Sequence, residues 1–133
     1  MKHLLFAFVL MSVSVSACFA QKYKGHFINE ELKFKMELNL YNDSILVPGM
    51  DYEHCYGYMQ GNLNSTWVFL KIISLEDEKA VVRAVSDNGG DAQSVEIKVS
   101  DEKLTFRQID EANIKTISGK KYVKLPKIVE MHR

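Results

Sequence analysis

The densest run of chemically capable side chains is Asp51-Tyr52-Glu53-His54-Cys55-Tyr56, which sets carboxylates, an imidazole and a thiol side by side. Such groups hold a metal or relay protons only where they converge on one point. In an extended chain successive side chains face opposite ways, so Glu53 and Cys55 share a side and His54 turns from them. The groups diverge, and no metal or catalytic site is expected here. Asp87-Asn88-Gly89-Gly90-Asp91 offers carboxylates and an amide in a glycine-rich loop, but lacks the alternating ligands and closing Glu of a calcium loop. Its Asn-Gly step suits the positive φ of a tight hairpin turn, which is the expected role.

The aromatic residues are the better candidates. Tyr52, Tyr56 and Tyr58 share one parity and therefore one face, and Trp67 belongs to the next strand. Tyr and Trp combine apolar area with a polar atom, which fits the mouth of a ligand cavity. Ordinary barrel packing or a solvent-facing row of tyrosines is the alternative. A second candidate is Ser118-Gly119-Lys120-Lys121-Tyr122. It resembles the Ser-Gly-x-x-Tyr loops of bacterial lysozyme inhibitors, and the resemblance implies a partner-binding role for Lys120, Lys121 and Tyr122. These residues belong to a basic stretch, since 113–133 holds Lys115, Lys120, Lys121, Lys124, Lys127 and Arg133 against Glu130 alone.

Motifs of common enzymes are missing. There is no Gly-x-Ser-x-Gly elbow, no His-Glu-x-x-His, no phosphate-binding loop and no paired cysteine for zinc. No cofactor is expected and catalysis is not. Net charge excludes a general affinity for nucleic acid. The chain has 17 basic and 17 acidic residues, and Lys2 is the sole charge before position 21.

The first 20 residues place the work outside the cytoplasm. Lys2 and His3 precede an apolar run from Leu4 to Val15, and Cys18-Phe19-Ala20 before Gln21 reads as a cleavage site. The expected product is a single domain over 21–133, periplasmic or secreted. Val15-Ser16-Ala17-Cys18 also resembles the bacterial lipobox, which implies lipidation at Cys18 and a protein anchored to the envelope. Cleavage after Ala20 is the expected route, and lipidation the alternative. Past residue 20 no apolar run is long enough to span a bilayer as a helix. Cys55 then stands alone in the folded part, so the fold must rely on its core and not on a disulfide.

That core must come from strands. Phe34, Met36, Leu38 and Leu40 alternate with Lys33, Lys35, Glu37 and Asn39, the period of a half-buried strand. Similar runs are expected at 23–28, 44–47, 55–59, 66–73, 79–85, 94–99 and 103–109. A last hairpin is expected from 113–117 and 120–125, followed by a short helical tail after Pro126 with His132 in a frayed terminus. The connections are too short for parallel crossovers. The expectation is all-β: an antiparallel meander of about 8–10 short strands, as a closed or partly open barrel, with a two-sheet sandwich as alternative.

The opening Tyr23-Lys24-Gly25, the successive hairpins and the closing Lys120-Lys121-Tyr122-Val123-Lys124-Leu125-Pro126 resemble small exported lipocalin-like barrels of Gram-negative bacteria. Trp67 is the sole tryptophan, so the first strand lacks the Gly-x-Trp of true lipocalins. The resemblance implies a binding protein that holds a small apolar ligand in the barrel or at its mouth. The other expectation is an envelope protein that binds or inhibits another protein through an outer face.

Overall fold

In the computed structural model, residues 22–50, 54–87 and 89–133 are described. Cys18 and Tyr52 lie outside the described residues. The described chain forms ten strands and no helix. Eight of them close into an antiparallel barrel: β1 (Lys24–Asn29), β2 (Phe34–Asn39), β3 (Gly57–Gly61), β4 (Trp67–Leu75), β5 (Ala80–Ser86), β6 (Ala92–Ser100), β7 (Lys103–Ile109) and β10 (Val129–His132). β8 (Lys115–Ser118) and β9 (Lys121–Lys124) form a separate hairpin between β7 and β10. The sheet thus closes as a barrel and does not divide into a sandwich.

Two expected elements differ. The span 44–47 is no strand: Ile45 makes an isolated bridge to Cys55, with Ile45 N donating to Cys55 O at 3.0 Å and Cys55 N to Ile45 O at 2.9 Å. Pro48-Gly49 turns the chain away at once, with Gly49 at φ 76°. The chain after Pro126 is not helical. It becomes β10, which pairs with β7 along its length, and His132 sits opposite both Ile28 and Lys103 instead of fraying.

The barrel interior is filled by complementary sizes. Trp67 stands opposite Ser86, and Phe69 stands between Gly57 on one side and Ala84 on the other. The small partners leave the room that the large rings take. A Cβ on Gly57 would lie 2.3 Å from Glu37 O and 2.9 Å from the Phe69 ring, so only glycine fits there. Phe27, Met36, Met59, Trp67, Phe69 and Leu104 are fully buried in one continuous core. Each side chain of this kind contributes about 1.5–3 kcal/mol on burial.

The last closure, β1 to β10, has a single register pair, Ile28 with His132. Arg133 reinforces it. Its Nη1 donates to Lys24 O at 2.8 Å, its Nη2 to Lys22 O at 3.1 Å and its Nε to Asp101 O at 3.1 Å. A side chain at residue 25 would collide with that guanidinium, since a Cβ there would lie 2.2 Å from Nη1. Gly25 also holds φ 146°, a conformation that residues with a Cβ seldom adopt.

Candidate functional site

The β8–β9 hairpin lies across the end of the barrel where the β3–β4 turn emerges. A two-residue loop, Gly119-Lys120, joins Ser118 to its partner Lys121. Gly119 takes φ 63°, as the first central residue of a type II′ turn requires. The hairpin cannot bury two faces by itself, so its base is tied to the barrel by side-chain amides that stand in for backbone partners. Asn62 Nδ2 donates to Ile117 O at 2.9 Å and to Thr116 Oγ1 at 3.2 Å, while Thr116 Oγ1 donates to Asn62 O at 2.9 Å. Asn64 Oδ1 accepts from Lys115 N and from Trp67 Nε1, each at 3.1 Å. Gln108 and Gln93 hold the incoming strand, accepting from Ile114 N at 2.8 Å and from Asn113 N at 3.0 Å.

Ile114, Thr116 and Leu125 are buried by this docking. Every residue of β9 is exposed. Tyr122 is 64% exposed and pairs across the ribbon with Ile117, while Lys115 and Lys124 form the neighbouring pair on the same face. Lys120 occupies the turn, and Lys121 begins β9 beside it. Among the described residues no carboxylate forms an ion pair with Lys115, Lys120, Lys121, Lys124 or Lys127. The three predicted partner-binding residues thus lie on one exposed, positively charged ribbon, Tyr122 on the face of Lys115 and Lys124 and Lys121 on the opposite one.

Of the described ligand-binding candidates, Tyr56 and Trp67 side with the inner core and Tyr58 with the outer wall. Tyr58 pairs with Val68 on the outside of the wall, whereas Met59 and Trp67, one residue on, pair on the inside. Tyr58 is buried in a small outer cluster with Val47, Cys55 and Val68, against which Ile45 and Met50 pack. Burial pushes its hydroxyl up, with smaller contributions from Glu37 and Cys55. Tyr56 packs instead against the inner core. A bend at Tyr56 breaks the alternation that assigned Tyr56 and Tyr58 to one face. Trp67 is fully buried and bonded to Asn64, a member of the cap.

The remaining chemically capable groups are occupied or dispersed. Cys55 is buried, with Sγ 3.3 Å from Gly57 O and 3.4 Å from Ile45 O, and burial raises its thiol above the ordinary range. Asp87 accepts from Ser65 Oγ, and Asp87 N donates to Thr66 O at 2.9 Å, so this turn is knitted to the β3–β4 connection. Among the described residues no three His, Cys, Asp or Glu side chains gather closely enough to hold a metal ion.

Sequence reasoning missed the amides. Gln93 precedes Val95, Ile97 and Val99 on the inward parity of β6, and Gln108 follows Leu104 and Phe106 on that of β7. An amide where a barrel strand should be apolar was the signal that something polar is satisfied at that end. Family models, curated proteins and solved structures were all compared with the chain, and none matches it.

Proposed function

We propose that this chain is an exported, non-catalytic barrel that binds another envelope protein through the β8–β9 hairpin. The observation that carries the reading is Tyr122: a large aromatic left 64% exposed on a ribbon whose base is held by half-buried amide hydrogen bonds. Folding gains little from that side chain, while aromatic anchors of this kind dominate protein interfaces. Lys120 and Lys121 precede it in the ribbon, and among the described residues neither pairs with a carboxylate, which favours an acidic receiving surface. The ribbon resembles the inhibitory loops of bacterial lysozyme inhibitors, so the partner class is an envelope protein with a carboxylate-lined cleft, a lysozyme-type hydrolase above all.

The filled interior supports an outer working surface over an enclosed apolar ligand. Inward positions carry Trp67, Phe69, Phe27 and Met59 at no measurable exposure.

The test is a titration of purified lysozyme against the exported protein, followed by its activity. Inhibition should fall by about a hundredfold with Lys120→Glu/Lys121→Glu, and by about tenfold or more with Tyr122→Ser. A parent protein without effect on the hydrolase would reject this partner class. Full inhibition by the charge-reversed variant would reject the hairpin.

A further inference from the structure

We infer that the outer face of β4 and β5 is a second working surface, on which the barrel lies against an anionic membrane. Two departures from ordinary strand chemistry coincide there. First, β4 is bulged twice against β5. Phe69 pairs with Ala84 and Lys71 with Arg83, leaving Leu70 extra; Ile72 pairs with Val82 and Ser74 with Val81, leaving Ile73 extra. A bulge re-aims the side chain it inserts, and both inserted residues are aliphatic and face solvent, Leu70 44% and Ile73 52% exposed.

Second, Lys71 and Arg83 are register partners across the two strands. Like charges directly opposite destabilise a sheet, so the fold has no use for this pair by itself. Arg83 donates one hydrogen bond, from Nη1 to Ser94 Oγ at 2.9 Å, and among the described residues no carboxylate pairs with Lys71 or Arg83. The nearby acid on this side of the wall, Glu96, is already taken by Arg107, whose Nε and Nη2 reach its oxygens at 3.2 and 3.1 Å. Cations between exposed aliphatic groups match a bilayer surface, with anionic headgroups above and acyl chains beneath.

The Tyr23 side chain reaches across the end of the barrel, its Oη donating to Glu76 O of the β4–β5 turn at 2.9 Å. Glu76, Asp77 and Glu78 occupy the turn at the barrel's end. Repelled by anionic headgroups, they favour contact through the side of the barrel over its tip.

The test is flotation of the exported protein carrying Cys18→Ala, so that no acyl chain contributes. It should rise with vesicles containing roughly one-third phosphatidylglycerol, stay behind with pure phosphatidylcholine, and be released at about 0.5 M salt. Lys71→Glu/Arg83→Glu should lower partitioning by about tenfold or more, and Leu70→Ser/Ile73→Ser by several fold. Near-ultraviolet circular dichroism of Trp67 would show that each variant is folded. Lys120→Glu/Lys121→Glu should partition unchanged, which separates this face from the hairpin. Absence of phosphatidylglycerol binding, or equal binding by the folded charge-reversed variant, would overturn the inference. So would release by an acidic protein in place of salt-sensitive vesicle binding, or loss of binding only in the hairpin variant.

Discussion

The guanidinium of Arg133 lies over the ring of Phe27, 4.6 Å from its centre, and so joins the end of the chain to the first strand of the barrel. The contact adds a cation–π interaction to three charge-assisted bonds on backbone carbonyls, two of which, on Lys24 and Lys22, lie at the seam with the fewest ladder pairs.

Arg133→Ala should therefore lower stability by about 1–2 kcal/mol, modest because the side chain stays exposed. Arg133→Lys should recover little, since an ammonium cannot reproduce the planar fork. Urea unfolding measures both. A midpoint unchanged within error for Arg133→Ala would mean that the strand pairing alone closes the barrel.

Asn64→Ala removes the acceptor shared by Lys115 N and Trp67 Nε1. Leaving buried or half-buried donors unpaired should cost about 1–3 kcal/mol and loosen the hairpin before the barrel. Hydrogen exchange at the Lys115 amide should accelerate while amides of β6 stay protected. Uniform acceleration through the molecule would show that hairpin and barrel open as one unit.

Tyr23 contributes to the alkaline limit, beside Tyr58 and Cys55, whose pKa burial also raises. Burial, and after it Tyr41, Asp77 and Glu76, push the Tyr23 hydroxyl up to about 12 from 10.0. Between those values the unfolded chain gives up the proton more readily than the folded one, so stability falls as pH rises through this window. Tyr23→Phe should flatten that alkaline decline while losing the bond to Glu76 O. Denaturation midpoints from pH 9 to about 12 are the measurement, and an equally steep decline in the variant would move the effect elsewhere.

Glu96 acts at the acid end. The hydrogen bonds from Arg107 hold its carboxyl below the ordinary value of 4.5, against an opposing desolvation. Its contribution is whole above that value and disappears as pH falls through the lowered one. Glu96→Gln should therefore be less stable than the parent at neutral pH and show a shallower acid decline. Parallel acid curves for the two proteins would show that the pair with Arg107 contributes nothing measurable.

Gly57→Ala should destabilise by about 1–3 kcal/mol or more, because the new methyl meets Glu37 O, a backbone atom that cannot swing aside. Tyr122→Ser should change stability by less than about 0.5 kcal/mol, as expected of an exposed side chain kept for a partner. A large loss at Tyr122 would make it part of the fold.

What the residues determined unaided was local. Alternation at Phe34, Met36 and Leu38 specified a strand and its inner face, because side-chain direction repeats every two residues whatever the partner. Pro-Gly and Ser-Gly marked turns for the same kind of reason, since glycine takes the positive φ found at Gly49 and Gly119. Partners distant in sequence belonged to the tertiary structure. Asn29 bonds to Glu130 O across 101 residues, and no short-range pattern announces that the segment after Pro126 will find β1 and β7. Parity also fails at a bend or bulge, so Tyr56 and Tyr58 separated while Leu70 and Ile73 turned outward. Periodicity constrains a strand against itself; its neighbours, its irregularities and the closure of the wall are set by what packs on either side.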